Sequence, residues 1–307
     1  MGRYLLRRML QFIPVFVGAT FLIFVLVFAI PGDPIRALSG DKPLPQSVQD
    51  TLRQQYNLDE PLWKQYTLYL GGVVQGDFGE DFRGRQVTEI MKDRLPVTAK
   101  LAFYAFIFEM IIGVVAGILA GLKKGGFMDN LVRISTLVVI SIPIFVLGFI
   151  AQLVIGVRFG WLPVSGLREG FMSFILPAIV LGSVSLAYIA RLTRTSLAEN
   201  MRSDYVRTAT SKGLSRRRVV GVHALRNSLI PVITFLGVDL GALMGGAIIT
   251  EAIFNIPGIG NAVYQATLRQ EGTVVVGIVT FLVLVFMISN LLVDALYAVL
   301  DPRIRYE

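Results

Sequence analysis

The chain of 307 residues contains no cysteine and a single histidine, His223. These absences exclude disulfides, thiol chemistry and the usual zinc and copper centres, which draw on Cys and His ligands. Charge is scarce as well, at 16% Asp, Glu, Lys and Arg, against roughly 25% in an average soluble domain. With 54% of the residues apolar, disorder and an ordinary soluble enzyme are excluded. No GxxxxGK[ST] phosphate loop occurs, so the chain has no means of its own to bind ATP. A GxSxG nucleophile elbow is missing too, and the letters DFG at Asp77 to Gly79 stand without the glycine-rich loop and HRD of a kinase. An intramembrane enzyme therefore lacks a nucleophile, base and metal set, and no residue is assigned to catalysis or metal ligation.

What the chain has is long apolar runs. Six fit the hydrocarbon core of a bilayer: Met9 to Ile30, Leu101 to Leu122, Ile134 to Val157, Phe171 to Ala190, Ser228 to Thr250 and Thr273 to Val293. Each reaches the ~18 to 20 residues at which a spanning helix is the default reading. The expected fold is an all-α polytopic membrane protein with six transmembrane helices. The first run, preceded by Arg3, Arg7 and Arg8, is too long for a signal peptide and has no small-x-small cleavage site, so it stays as the first helix.

The net charge of +8 is arranged by topology rather than for nucleic acid. Seventeen of the 29 Lys and Arg lie before the first run, between the second and third, between the fourth and fifth, and after the sixth, with only five acids among them besides Asp294 at the edge of the sixth run. A basic excess on alternate short loops is the positive-inside pattern, which puts both termini in the cytoplasm. A cytoplasmic protein partner is a second reason for the basic loop. The segment 31–100 is then extracytoplasmic and 191–227 is the one substantial cytoplasmic loop.

Along the chain, PGDP at Pro31 to Pro34 stops the first helix. Val48, Leu52 and Tyr56, then Leu62, Tyr66 and Leu70, recur at helical spacing, which predicts two short amphipathic helices on the outer surface. Those helices read either as a lid or as a dock for an external partner. Trp161 sits where an interfacial aromatic is expected. Pro14, Pro143, Pro177 and Pro231 fall within or at the start of spans, where kinks either line a path or mark irregular packing. No repeat or boundary divides the chain, so 1–307 reads as a single permease domain.

Buried acids carry information because an ionised carboxylate near the bilayer centre costs roughly 2.5 to 3.5 kcal/mol on insertion scales. Asp239 lies near the midplane of the fifth run, and Glu109 lies about 12 Å from the outer end of its own run at 1.5 Å per residue. Asp294 belongs near the inner interface. Gly237, Gly241 and Gly245 form a GxxxGxxxG stripe, a close-packing face from which Asp239 projects away. Asp239 and Glu109 are the candidate residues of a substrate path, Glu109 with shielded packing as its bland reading.

In the cytoplasmic loop, Ser203 is placed to cap a short helix, Lys212 sits in its last turn and Gly213 takes the left-handed position after it. Ser215 is placed to cap a second helix carrying Arg216 to Arg218 and His223. On this helix, glycine corner and helix, the sequence resembles the permease subunits of binding-protein-dependent ABC importers of the dipeptide, oligopeptide and nickel group, and is most similar to the B-type subunits of dipeptide permeases. The EAA positions read Arg207, Thr208 and Ala209, with the family glycine at Gly213, and the ILP triplet of sugar importers reads His223, Leu225 and Arg226. PGDP, GDFG at Gly76, IPGIG at Ile256 and LLVDALYAVLDPRIR from Leu291 extend the resemblance over the whole chain.

The resemblance implies a type I ABC importer permease of the inner membrane that moves peptides or a related small solute. It implies a second homologous permease, two ABC ATPase subunits that bind the ATP and Mg, and an extracytoplasmic substrate-binding protein, with lipid around it and no nucleic acid. Coupling to the ATPases falls to Arg207, Thr208, Ala209, Lys212, Gly213, Leu214, Arg216 and His223. Nickel complexes and haem-like solutes stay open as cargo, and a proton-coupled secondary transporter using Asp239 and Glu109 stays open as mechanism.

Overall fold

The computed structural model describes residues 2–29, 45–47, 53 and 59–300, with backbone only for 2–6 and 294–300. The described chain is helical: α1 (Gly2–Phe28), α2 (Leu62–Val74), α3 (Val87–Leu122), α4 (Phe127–Ser141), α5 (Ile144–Ala151, continued as a π-helical turn, Gln152–Arg158) and α6 (Met172–Asn200). Then come α7 (Asp204–Ser211), α8 (Arg216–Arg218, a π-helical Val219–Ala224, then Leu225–Ser228), α9 (Ile230–Ile253), α10 (Ile259–Leu268) and α11 (Gly272–Leu300). PGDP and the helix expected at Val48, Leu52 and Tyr56 lie outside the described residues.

Five of these helices are long and apolar enough to cross a membrane by themselves: α1, α3, α6, α9 and α11. The third expected span is not one rod. It is the pair α4 and α5, bent by 106° at Ile142 and Pro143. Proline cannot donate to the preceding turn and forces its predecessor out of helical geometry, so the break falls there. Pro14 and Pro177 sit inside α1 and α6, Pro231 lies in the first turn of α9, and a further proline, Pro96, is inside α3.

The most extensive contact is α3 against α6. It is built on small residues. A Cβ added to Gly117 would stand 2.5 Å from the Thr193 Cβ and 2.6 Å from the Ala190 carbonyl oxygen; Gly113 and Gly121 meet Ile189 and Leu197 similarly. Without side chains between them the two backbones approach closely and gain dispersion contacts along their length. Helix α9 packs on α6 and α3 by one face and on α11 by another. On the second face, Gly237 touches Val293 and Gly241 touches Ser289 and Phe286.

Helix α2 is the amphipathic helix expected from Leu62, Tyr66 and Leu70. Its buried Tyr66 donates to the Val17 carbonyl at 2.9 Å and meets the rings of Phe21 and Phe24 on α1. Tyr69 donates to Thr280 Oγ1 at 2.8 Å. Burial pushes the Tyr69 phenol up to about 12, so it remains a donor at physiological pH. The helix is therefore clamped to α1 and α11.

Candidate functional site

The segment after α6 begins with Ser203 in extended backbone, as a cap residue should be, yet its hydroxyl donates back to the Asn200 carbonyl and makes no cap. Ser215 behaves likewise: its carbonyl accepts from the Arg218 and Val219 N–H groups, while its hydroxyl caps nothing. The serines hold the expected positions without the expected side-chain bonds. Asp204 supplies a negative charge to the first turn of α7, where the helix dipole favours it.

The other end of α7 is closed as expected. Gly213 has φ +79°, its N–H bonds the Thr210 carbonyl at 2.9 Å, and the Leu214 N–H reaches the Ala209 carbonyl at 3.4 Å. These are the two bonds of a Schellman motif, with Gly213 in its left-handed position. Leu214 closes it by packing on the cluster of Val206, Ala209, Leu197, Val219 and Ala224. A Cβ at Gly213 would meet nothing within 4 Å. The backbone torsion alone selects glycine there.

Of the eight residues assigned to coupling, Arg207, Thr208, Lys212, Gly213 and Arg216 are exposed, His223 and Leu214 are half-buried, and Ala209 is buried. The corner thus offers a basic outer surface and is anchored by an apolar underside. Ile118 and Leu122 of α3 pack on that underside. Nearby, buried Asp129 of α4 takes a two-pronged ion pair from Arg194 of α6, at 2.7 and 2.9 Å, and accepts the Gly125 N–H at 2.7 Å. A buried pair satisfied this fully locks the loop before α4 onto the base of α6.

The two acids assigned to a substrate path come together. Glu109 of α3 is wholly buried, and its Oε2 lies against Gly182 of α6, where an added Cβ would stand 3.3 Å from it, one turn before Ser185. Asp239 Oδ1 accepts from Ser185 Oγ of α6 at 2.9 Å. Asp239 points to α3 and α6, away from the glycines that meet α11, as its spacing from them implies. The side chain of Asp294 lies outside the described residues.

A third buried acid, Glu251 at the end of α9, escaped the sequence reading. It accepts from Thr98 Oγ1 at 2.6 Å and from the Asn261 N–H at 2.9 Å, and Thr98 in turn accepts the Ile259 N–H at 2.8 Å. Its carboxylate fills the space a Cβ would need at Gly258, while at Gly260 a Cβ would meet the Ile248 backbone first and the carboxylate next. The IPGIG motif is thereby a cradle for a carboxylate at the N-terminus of α10, an arrangement the helix dipole favours. An acid six residues before a Pro-Gly-x-Gly turn was the available signal.

Residues 113–306 match the family described as binding-protein-dependent transport system inner membrane component, and residues 1–102 match the N-terminal region of such components. The chain belongs to the inner-membrane components of binding-protein-dependent transport systems. It is accordingly a multi-pass inner-membrane permease subunit of a system that also has ATPase subunits and a substrate-binding protein. The family members it resembles include the di/tripeptide transport system permease DppB of Pseudomonas aeruginosa, 39% identical with 99% of both chains covered. The dipeptide permease DppB of Escherichia coli K12 is 38% identical and the glutathione permease GsiC of the same strain 36%, each over 100% of both chains. Among solved structures, the inward-facing MetNI methionine ABC transporter matches with a TM-score of 0.59 at 19% identity, over 70% of this chain and 97% of that one. That likeness gives the fold, a type I ABC importer permease.

Proposed function

We propose that the chain is the B-type permease of an ATP-driven importer of dipeptides or oligopeptides, and that the corner at Gly213 is its coupling surface. The observation that carries this reading is the exposed basic Schellman corner seated on the ends of α3 and α6. Full-length similarity to peptide and glutathione permeases supports the cargo. In the assembly a second homologous permease completes the pathway, two ABC ATPases bind ATP and Mg and grip Arg207, Thr208, Lys212, Arg216 and His223, and an extracytoplasmic protein delivers the peptide. Ala209 and Leu214 hold that surface from beneath. The permease performs no chemistry of its own, and its termini face the cytoplasm.

Asp239, with Glu109 behind it, serves the substrate path by stabilising a cationic group such as a peptide amine. The test is uptake of labelled dipeptide, nickel chelate and haem by the purified importer in proteoliposomes, with and without ATP. Dipeptide uptake that needs ATP, and that falls at least several-fold in Asp239→Asn with assembly intact, is the expected result. Uptake by this chain alone under a proton gradient would instead establish the secondary-transporter reading, and normal transport by Asp239→Asn would remove that carboxylate from the path.

A further inference from the structure

Glu109 and Asp239 pose a problem that import does not solve. Both oxygens of wholly buried Glu109 and Oδ2 of Asp239, which is 9% exposed, have no hydrogen-bond partner. The two carboxyl groups abut one turn of the same face of α6, Glu109 Oε2 at Gly182 and Asp239 Oδ1 at Ser185, and as carboxylates both only accept hydrogen bonds. Apolar layers close the site on both sides along the same three helices. Ala105, Leu181 and Leu243 lie on one side and Met110, Ile189 and Leu236 on the other. Facing groups are Glu109 from α3, Ser185 from α6 and Asp239 from α9, while α11 meets the opposite side of α9 through Phe286, Ser289 and Val293. Among the described residues, the Ser185 hydroxyl is the partner of Asp239 Oδ1, and no Lys, Arg or His bonds Glu109 or Asp239 Oδ2.

Two ionised carboxylates cannot share an apolar site without a cation, because desolvation and mutual repulsion act in the same direction. One proton removes both difficulties. It turns the facing acceptors into a donor and an acceptor, leaves a single charge, and lets the Ser185 hydroxyl bond the remaining anionic oxygen. We propose that Glu109 and Asp239 form a proton-binding site that holds one shared proton between α3, α6 and α9 in the resting importer. The partly exposed edge at Asp239 is where that proton exchanges with water. The site stands on geometry alone; its relevance to uptake rests on the import reading above.

Infrared difference spectroscopy of the assembled importer in lipid nanodiscs reads this proton directly. At neutral pH the wild type is expected to show a buried, deuterium-sensitive protonated-carboxyl band that is lost in Glu109→Gln, where the amide donates to an ionised Asp239. In Asp239→Asn the band persists but shifts, because Glu109 keeps the proton with a new partner. A wild type without such a band overturns the proposal, as does a band unmoved in Asp239→Asn. So does a band erased by sodium or potassium, which would make the site one for a metal cation. The wild-type spectrum and its salt titration decide the matter even if a variant does not assemble. Loss of ATP-driven dipeptide uptake with the band intact would reject the import reading alone.

Discussion

Gly213 and Glu251 show how one residue can govern a joint, by opposite means. At Gly213 the backbone adopts φ +79° in open surroundings, so a side chain costs only its torsional penalty, about 1 to 2 kcal/mol and more when β-branched. Asn visits this region with little strain. Gly213→Val is therefore expected to insert normally but lose its ATPases or hydrolyse ATP without import, while Gly213→Asn keeps most coupled uptake; purification of the complex followed by ATPase and uptake assays separates the two. Equal behaviour of Val and Asn would show that the corner transmits nothing. Glu251 is crowded instead. Its replacement by Ala leaves the Asn261 N–H and the Thr98 hydroxyl without their acceptor, at about 1 to 3 kcal/mol for each buried group. Glu251→Ala is expected to lower the yield of folded protein and to lower its melting temperature in detergent; an unchanged melting curve would make the clasp dispensable. The corner was legible because its signals lie within a dozen residues, from Ser203 to Ser215. Glu251 was not, because Thr98 is 153 positions away and only the fold brings them together.

Helices α3 and α9 carry the same GxxxGxxxG spacing with different consequences. The stripe read from the sequence, Gly237, Gly241 and Gly245 on α9, has Gly245 facing open space. The unremarked stripe on α3 lies against α6 along its whole length, with Gly117 tightest of the three. Spacing places small residues on one face, but the neighbour decides whether that face is needed. Overpacking such a contact costs about 1 to 3 kcal/mol. Gly117→Ala should push α6 away and reduce thermal stability in detergent, and Gly117→Leu should largely prevent accumulation in the membrane; Gly245→Ala should do neither. Comparable losses at Gly117 and Gly245 would contradict this ordering. The bend between α4 and α5 was half legible: Pro143 marked its place, whereas the angle of 106° was not in the local sequence, and beyond the bend α5 packs on both α6 and α9, with Ile253 and Phe254 beside Gly148.

Across the whole molecule the helices sort the basic segments to one end. Gly272 at the start of α11 lies beside Val27 and Phe28 at the end of α1, so the opposite ends of both helices point the same way. The end of α3, the start of α4 and the base of α6 meet the α7 corner at that same end. The far end holds α2, the start of α3 and α10, joined in one apolar cluster through Val73, Phe78, Val87 and Ile259. The basic segments among the described residues are therefore attached to one face, and the proposed topology, following the positive-inside pattern, takes that face as cytoplasmic. Lys64 on α2 and Arg217 on α8 lie at opposite ends, and the chain has no native cysteine to interfere. In intact cells, Lys64→Cys should react with an impermeant maleimide once the reagent reaches the periplasm, and Arg217→Cys should react only after the inner membrane is opened. The reverse pattern would invert the whole molecule, carry the Gly213 corner away from the ATPases and end the coupling assignment. Equal labelling at both sites would deny the helices a fixed orientation, which the asymmetric basic end makes energetically unfavourable.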